Sequence, residues 1–186
     1  TPKLFAPNAK IIHLDVDYSS VSKIIEANIA VFGQVKNSLL EMIKLLEVKK
    51  ELIDPKKILP WKEQISDWKS QHGLNHEMHL CETDDKPIMP QAVVQHLYNI
   101  TNGKAFITSD VGQHQMFAAQ YYHFDEPRKW INSGGLGTMG FGLPAAMGAK
   151  LAYPNDEVIC ITGEGSIQMC IQELSTCTQY NLSLIH

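Results

Sequence analysis

The sequence predicts an α/β protein built on parallel, doubly wound sheets, and three observations carry that expectation. The run Val158-Ile159-Cys160-Ile161-Thr162 is short, continuous and rich in β-branched residues, the pattern of a strand buried on both faces of a parallel sheet. Directly after it come Gly163-Glu164-Gly165 and then apolar Ile167, Cys170, Ile171, Leu174 and Cys177 at helical spacing, with Ser166 placed to cap. The same order of strand, turn and helix occurs twice more upstream, and βα units in succession wind into one parallel sheet.

Taken in order, residues 10–16 and 29–32 are buried-strand candidates, joined by a short helix from 19 or 20 to about 28, a βα-β unit. A helix over about 37–50 is lined by Leu39, Leu40, Ile43, Leu45 and Leu46 and stopped by Asp54-Pro55. Trp61, Ile65 and Trp68 mark a further amphipathic helix that ends at Gln71-His72-Gly73, its tryptophans used for packing. Residues 74–88 are polar and aperiodic, a connector between a domain at 1–73 and another at 89–186. Pro90 suits a first helical position, Val93, Val94, Leu97 and Ile100 form the stripe behind it, and Asn102-Gly103 ends the helix. Strands at 105–108 and 130–132 precede helices beginning near Gly112 and Gly140, the latter running to about Ala152. Leu182-Ser183-Leu184-Ile185-His186 reads as the start of a fourth strand, as expected of a piece of a longer polypeptide.

The 186 residues are 44% apolar and carry a net charge of −4, enough to bury a core and with no basic run to suggest nucleic acid or an anionic membrane as partner. No apolar stretch approaches the ~20 residues that span a bilayer, and Thr1-Pro2-Lys3 opens no signal-like segment, so a cytoplasmic protein is expected. Cysteines 81, 160, 170 and 177 form no Cys-x-x-Cys pair, and the last three fall in apolar patterns as reduced core residues. His72, His76, His79 and Cys81 imitate zinc-ligand spacing, but a second ligand pair is missing and a solvated linker is the default reading.

Chemistry points to the two glycine-rich turns, Ser133-Gly134-Gly135-Leu136-Gly137-Thr138-Met139-Gly140 and Thr162-Gly163-Glu164-Gly165-Ser166. Each opens a helix, and free backbone N–H groups at such a start favour an anion in the crevice above the strand ends. Neither the dinucleotide fingerprint nor a Walker loop is present, since the third glycine of the one and the Gly-Lys-Ser/Thr of the other are missing. Glu164 would repel a diphosphate unless a divalent cation lay between them, which argues for a magnesium-bridged diphosphate such as that of thiamine diphosphate.

With Ser109-Asp110-Val111-Gly112-Gln113-His114-Gln115-Met116, Ser133 to Ala146, and the run from Thr162 to Leu174, the chain resembles the catalytic large subunits of acetohydroxyacid synthase, also called acetolactate synthase, within the thiamine-diphosphate-dependent enzymes. Asn8 to Asp17 is similar to the end of that family's central domain, so the likeness covers nearly the whole chain.

This resemblance implies a set of roles. Val111, Gly112, Gln113 and His114 would lie against the diphosphate end of the cofactor, with Gly165 and Ser166 on the second turn. Gly137 would present its carbonyl to the aminopyrimidine beside Thr138, and Met139 would wedge the cofactor into a bent shape. Glu164 stands where the family usually has aspartate as a magnesium ligand. FAD, which takes no part in net redox chemistry in the family, would place its adenosine end on Asp15, Val16, Gln34 and Val35, although the family often has aspartate at the Gln34 position. Residues 1–73 then correspond to the end of the FAD-associated domain and 89–186 to part of the thiamine-diphosphate domain. No catalytic acid or base is assigned, because the family's activating glutamate belongs to an N-terminal domain of a neighbouring subunit.

The implied reaction is decarboxylation of pyruvate and condensation with a second pyruvate or 2-ketobutyrate, in branched-chain amino-acid synthesis. Implied partners are further large subunits, as a homodimer or homotetramer, and a small regulatory subunit. Another thiamine-diphosphate carboligase or oxidase of 2-oxo acids, and a non-catalytic nucleotide-binding or assembly module, stay open as alternatives.

Overall fold

The structure, a computed structural model, describes residues 2–74 and 87–186. Packing divides the chain into two compact units, Thr1–Asp67 and Trp68–His186.

In the first unit, β1 (Ile12–Asp15) and β2 (Ile29–Phe32) pair in parallel with Asp15 opposite Phe32. Helix α1 (Val35–Val48) packs on β1. A 3-10 turn (Lys50–Leu52) leads to α2 (Pro55–His72), which carries Pro60 within its first turns. The helix expected between the strands does not form. Asp17 instead accepts the Ser19 amide at 2.9 Å and the Ser19 hydroxyl at 2.8 Å, and Ser22, at φ 60°, accepts the Ala27 amide at 3.0 Å. Such local side-chain bonds compete with a helical ladder, leaving only the 3-10 turn Tyr18–Ser20.

The strands expected to be buried also differ from that reading. Among the described residues of this unit none is buried, and Ile12, Ile29 and Phe32 stay 47–52% exposed. Two strands and the helix on β1 cannot cover both faces of a sheet. Trp61 is 56% and Trp68 48% exposed.

The second unit begins its regular structure at α3 (Pro90–Thr101), with Pro90 at the first helical position and Asn102 closing the helix in the left-handed region at φ 49°. Its buried side is Ala92, Val94 and Thr101, whereas Val93 and Ile100, expected in the same stripe, are exposed. Three strands follow: β3 (Phe106–Ser109), β4 (Trp130–Asn132) and β5 (Val158–Ile161), all parallel in the order β4-β3-β5. Between and after them run α4 (Gln113–Tyr121), α5 (Gly142–Ala152), α6 (Glu164–Gln168) and α7 (Glu173–Gln179).

Both faces of this sheet are covered, as a doubly wound fold requires. Side chains alternate along the strands: Phe106, Val158 and Cys160 pack with Leu143, Ala146, Ala149, Cys170 and Cys177 on one side. Ile107 and Ile159 pack with Val94, Ala105 and Tyr122 on the other. Central β3 is buried at all four positions. The expected fourth strand is reduced to one parallel bridge, in which Ile185 accepts from the Cys160 amide at 2.8 Å and donates to the Val158 carbonyl at 3.1 Å.

Where one helix was expected from Ser166 onward, two short ones form. Gly163 is the cap and Ser166 lies inside the first turn, 1% exposed. Met169 and Cys170 then bond three residues back, to Ser166 and Ile167, so the ladder tightens and breaks before α7. Cys160, Cys170 and Cys177 are free and buried, in keeping with the core role read for them. Of the zinc-like group only His72 lies among the described residues, at the end of α2; His76, His79 and Cys81 lie outside them, as does nearly all of the 74–88 connector. Among the described residues no helix is long and apolar enough to cross a membrane.

Candidate functional site

In a parallel sheet the strand carboxyl ends share one edge, and ligands bind in the crevice beyond it. Here that edge holds a cleft of about 380 Å³ lined by Pro90, Val111, Gly112, Gln113, His114, Phe117, Met139, Gly163, Glu164, Gly165 and Ser166. The turn after β3 and the turn after β5 thus meet, because the two strands are neighbours in register, Ser109 opposite Ile161.

Gly112 caps α4 at φ 155°, a conformation open to glycine, and lets the chain reverse so that His114 returns over it. A β-carbon at Gly112 would come 2.9 Å from His114 Cε1, and one at Gly163 would come 2.9 Å from Nδ1. The imidazole is therefore held between two glycines. Burial lowers its pKa below the ordinary 6.5, against the opposing pull of Asp110 and Glu164. Its Nε2 is buried with no hydrogen-bond partner, and so is Ser166 Oγ. Two unsatisfied polar atoms in one cleft are what a polar ligand would complete.

Across the cleft, the loop from Ser133 is tied at its base, where Ser133 accepts the Gly137 amide at its carbonyl (2.9 Å) and the Thr138 amide at its hydroxyl (3.0 Å). Gly137 sits at φ 69°, again a glycine conformation. Met139, 40% exposed, lies on Gly165, whose added β-carbon would meet Met139 Cε at 3.2 Å. Gly137 and Thr138 are exposed on the same loop and do not line the cleft. Glu164 is exposed at the start of α6. Among the described residues no group of three His, Cys, Asp or Glu side chains could hold a metal.

Asp15, Val16, Gln34 and Val35 come together at the carboxyl edge of the two-stranded sheet, where Asp15 O accepts the Gly33 amide at 3.1 Å. The Asp15 carboxylate is engaged locally, accepting the Asp17 amide at 2.8 Å. The apolar cleft of that unit, about 730 Å³, takes in Val35 but not the other three.

Sequence reasoning assigned nothing to Asp110, Thr162 or Gly142. Asp110 is fully buried and its carboxylate accepts both the Gly142 amide and the Thr162 hydroxyl. An acidic residue directly after an apolar strand was the available signal, but its partners lie 32 and 52 residues away.

Known proteins similar to this chain are acetolactate synthases by name, and the family model that matches it is one of thiamine pyrophosphate enzymes. The family model described as "Thiamine pyrophosphate enzyme, C-terminal TPP binding domain" matches residues 110–186. The chain is 52% identical over 183 residues to the acetolactate synthase large subunit of Buchnera aphidicola subsp. Schlechtendalia chinensis, covering 98% of this chain and 31% of that protein. It is 49% identical over 181 residues to the Escherichia coli (strain K12) acetolactate synthase isozyme 3 large subunit, covering 97% of this chain and 31% of that protein. With acetolactate synthase 1, chloroplastic, of Nicotiana tabacum it shares 40% over 178 residues, 96% of this chain and 26% of that one. Along nearly its whole length the chain is similar to one stretch of the acetolactate synthase large subunits, spanning 26–31% of their length, and its residues 110–186 match the C-terminal TPP-binding domain of thiamine pyrophosphate enzymes.

Proposed function

We propose that the cleft at the ends of β3 and β5 receives the diphosphate of thiamine diphosphate through a divalent cation, as part of an acetolactate synthase large subunit. The observation that carries this reading is the pair of buried, unpartnered polar atoms, His114 Nε2 and Ser166 Oγ, in a cleft walled by Gly112, Gly163 and Gly165. A neutral imidazole can donate through Nε2 and a hydroxyl can donate through Oγ, which suits phosphate oxygens. When bound, thiamine diphosphate supplies the electron sink for decarboxylation of a 2-oxo acid. What the chain supplies is position: Gln113 and His114 at the start of α4 and Met139 over Gly165, while Gly137, outside the cleft lining on the Met139 loop, would offer its carbonyl to the aminopyrimidine end.

Glu164 is the proposed magnesium ligand. Magnesium keeps near-octahedral oxygen ligands and is often bound by one or two carboxylates plus phosphates and waters, so a single exposed carboxylate fits that mode. Residues 1–73 are assigned to the end of an FAD-associated domain, with Asp15, Val16, Gln34 and Val35 at its edge, 74–88 to a connector, and 89–186 to the thiamine-diphosphate domain. The substrates under this reading are pyruvate and a second pyruvate or 2-ketobutyrate, with further large subunits and a small regulatory subunit as partners.

Calorimetric titration with thiamine diphosphate at limiting magnesium tests it. The wild-type chain should bind cofactor and ion together, Glu164→Gln should weaken both, and Glu164→Asp should be tolerated. Affinity in Glu164→Gln equal to wild type would overturn the metal assignment, and no binding by the wild type would overturn the cofactor reading.

A further inference from the structure

Helix α5 starts without a local cap. Its preceding residue, Phe141, already has helical dihedrals (φ −77°, ψ −34°) and makes no side-chain capping bond, although the first amides of any helix need acceptors. The acceptor arrives from another strand end: the Gly142 amide donates to Asp110 Oδ1. Two residues earlier on the same face of β3, Thr108 donates its hydroxyl to the Gly142 carbonyl at 2.9 Å. One strand thus grips both backbone groups of Gly142. The approach is close enough that a β-carbon at Gly142 would lie 2.9 Å from Asp110 Oδ2.

The second carboxylate oxygen takes the Thr162 hydroxyl. Thr162 directly precedes Gly163, the residue on which His114 rests. A fully buried carboxylate is costly unless its oxygens are bonded and a positive potential lies near, and the start of an 11-residue helix provides the latter. Asp110 does not line the cleft; its neighbour Val111 does.

We propose that Asp110 is a positioning residue: its carboxylate clamps the start of α5 to the end of β5 and thereby sets the spacing between Met139, just ahead of α5, and the Gly163–Ser166 turn on the cleft wall. Its ligand arm rests on the function proposed above. Two measurements on the whole chain test it. The first needs no ligand. Amide exchange at Gly142 in Asp110→Ala, which leaves that amide no acceptor, and at Gly163 to Gly165 in Thr162→Val, should quicken by roughly tenfold, whereas Thr162→Ser should exchange as the wild type does. The second is thiamine diphosphate affinity at fixed magnesium. It should fall by about tenfold in Asp110→Ala and in Thr162→Val, stay within about twofold in Thr162→Ser, and fall no further in the double variant than in Asp110→Ala, because the contact that Thr162→Val removes is then already gone. Unaltered exchange overturns the clamp. Altered exchange with unaltered affinity overturns its link to the cleft. If the wild type takes up no thiamine diphosphate, the cofactor reading fails by itself and exchange alone decides for or against the clamp.

Discussion

The imidazole of His114 rests against the α-carbon of Gly163, so close that a β-carbon there would lie 2.9 Å from Nδ1. Gly163 has an ordinary φ of −100°, so glycine is needed for space, not for conformation. Gly163→Ala should therefore displace the ring and destabilise the fold by about 1–3 kcal/mol in a denaturant titration. Removing the ring relieves the clash, so the double variant with His114→Ala should be more stable than the sum of the single effects. Strict additivity would show that the two groups do not touch.

Acid should weaken the fold through the same histidine. Burial holds its pKa below 6.5 in the native chain. As pH falls through about 6.5 the unfolded chain takes up the proton first, so stability drops between that value and the lower native pKa, then levels for this group. His114→Gln should flatten that part of the profile in urea midpoints measured across the range. An unchanged slope would place the proton uptake elsewhere.

Thiol chemistry should be silent in the native state. Cys160 is 2% exposed, and burial, with smaller contributions from Asp110 and Cys170, outweighs its Thr108 hydrogen bond and pushes its pKa up to about 11. Cys170 and Cys177 are also raised, burial being the leading cause in both. Iodoacetamide at pH ~8 should label these three only after denaturation, since the thiolate is the reactive form. Mass spectrometry that found Cys160 modified within minutes in the native chain would contradict its burial on the core face of β5.

Much of this arrangement is written in local pattern. The β-branched run at 158–161, Pro90 at the start of α3 and Asn102 at its end could be read directly, because each depends on backbone preferences of neighbouring residues. So could the two glycine-rich turns, whereas Gly112 and His114 were expected beside Glu164 from the family resemblance and not from pattern. Failures occurred where a short polar side chain competed with the pattern. Asp17 and Ser22 captured amides that a helix needed.

Residue pattern alone sets the kind of each segment and the order in which the segments come. Which groups share a bond across that order depends on how the segments pack. Asp110 finds Gly142 and Thr162 because β3 lies beside β5 and beneath α5, and no periodicity along the chain encodes partners 32 and 52 residues away. Burial is likewise collective: similar apolar strands are sealed in the three-stranded sheet, with helices on both faces, and left half open in the two-stranded one. A strand's own residues set its readiness to be buried, and the number of neighbouring layers sets whether water is excluded.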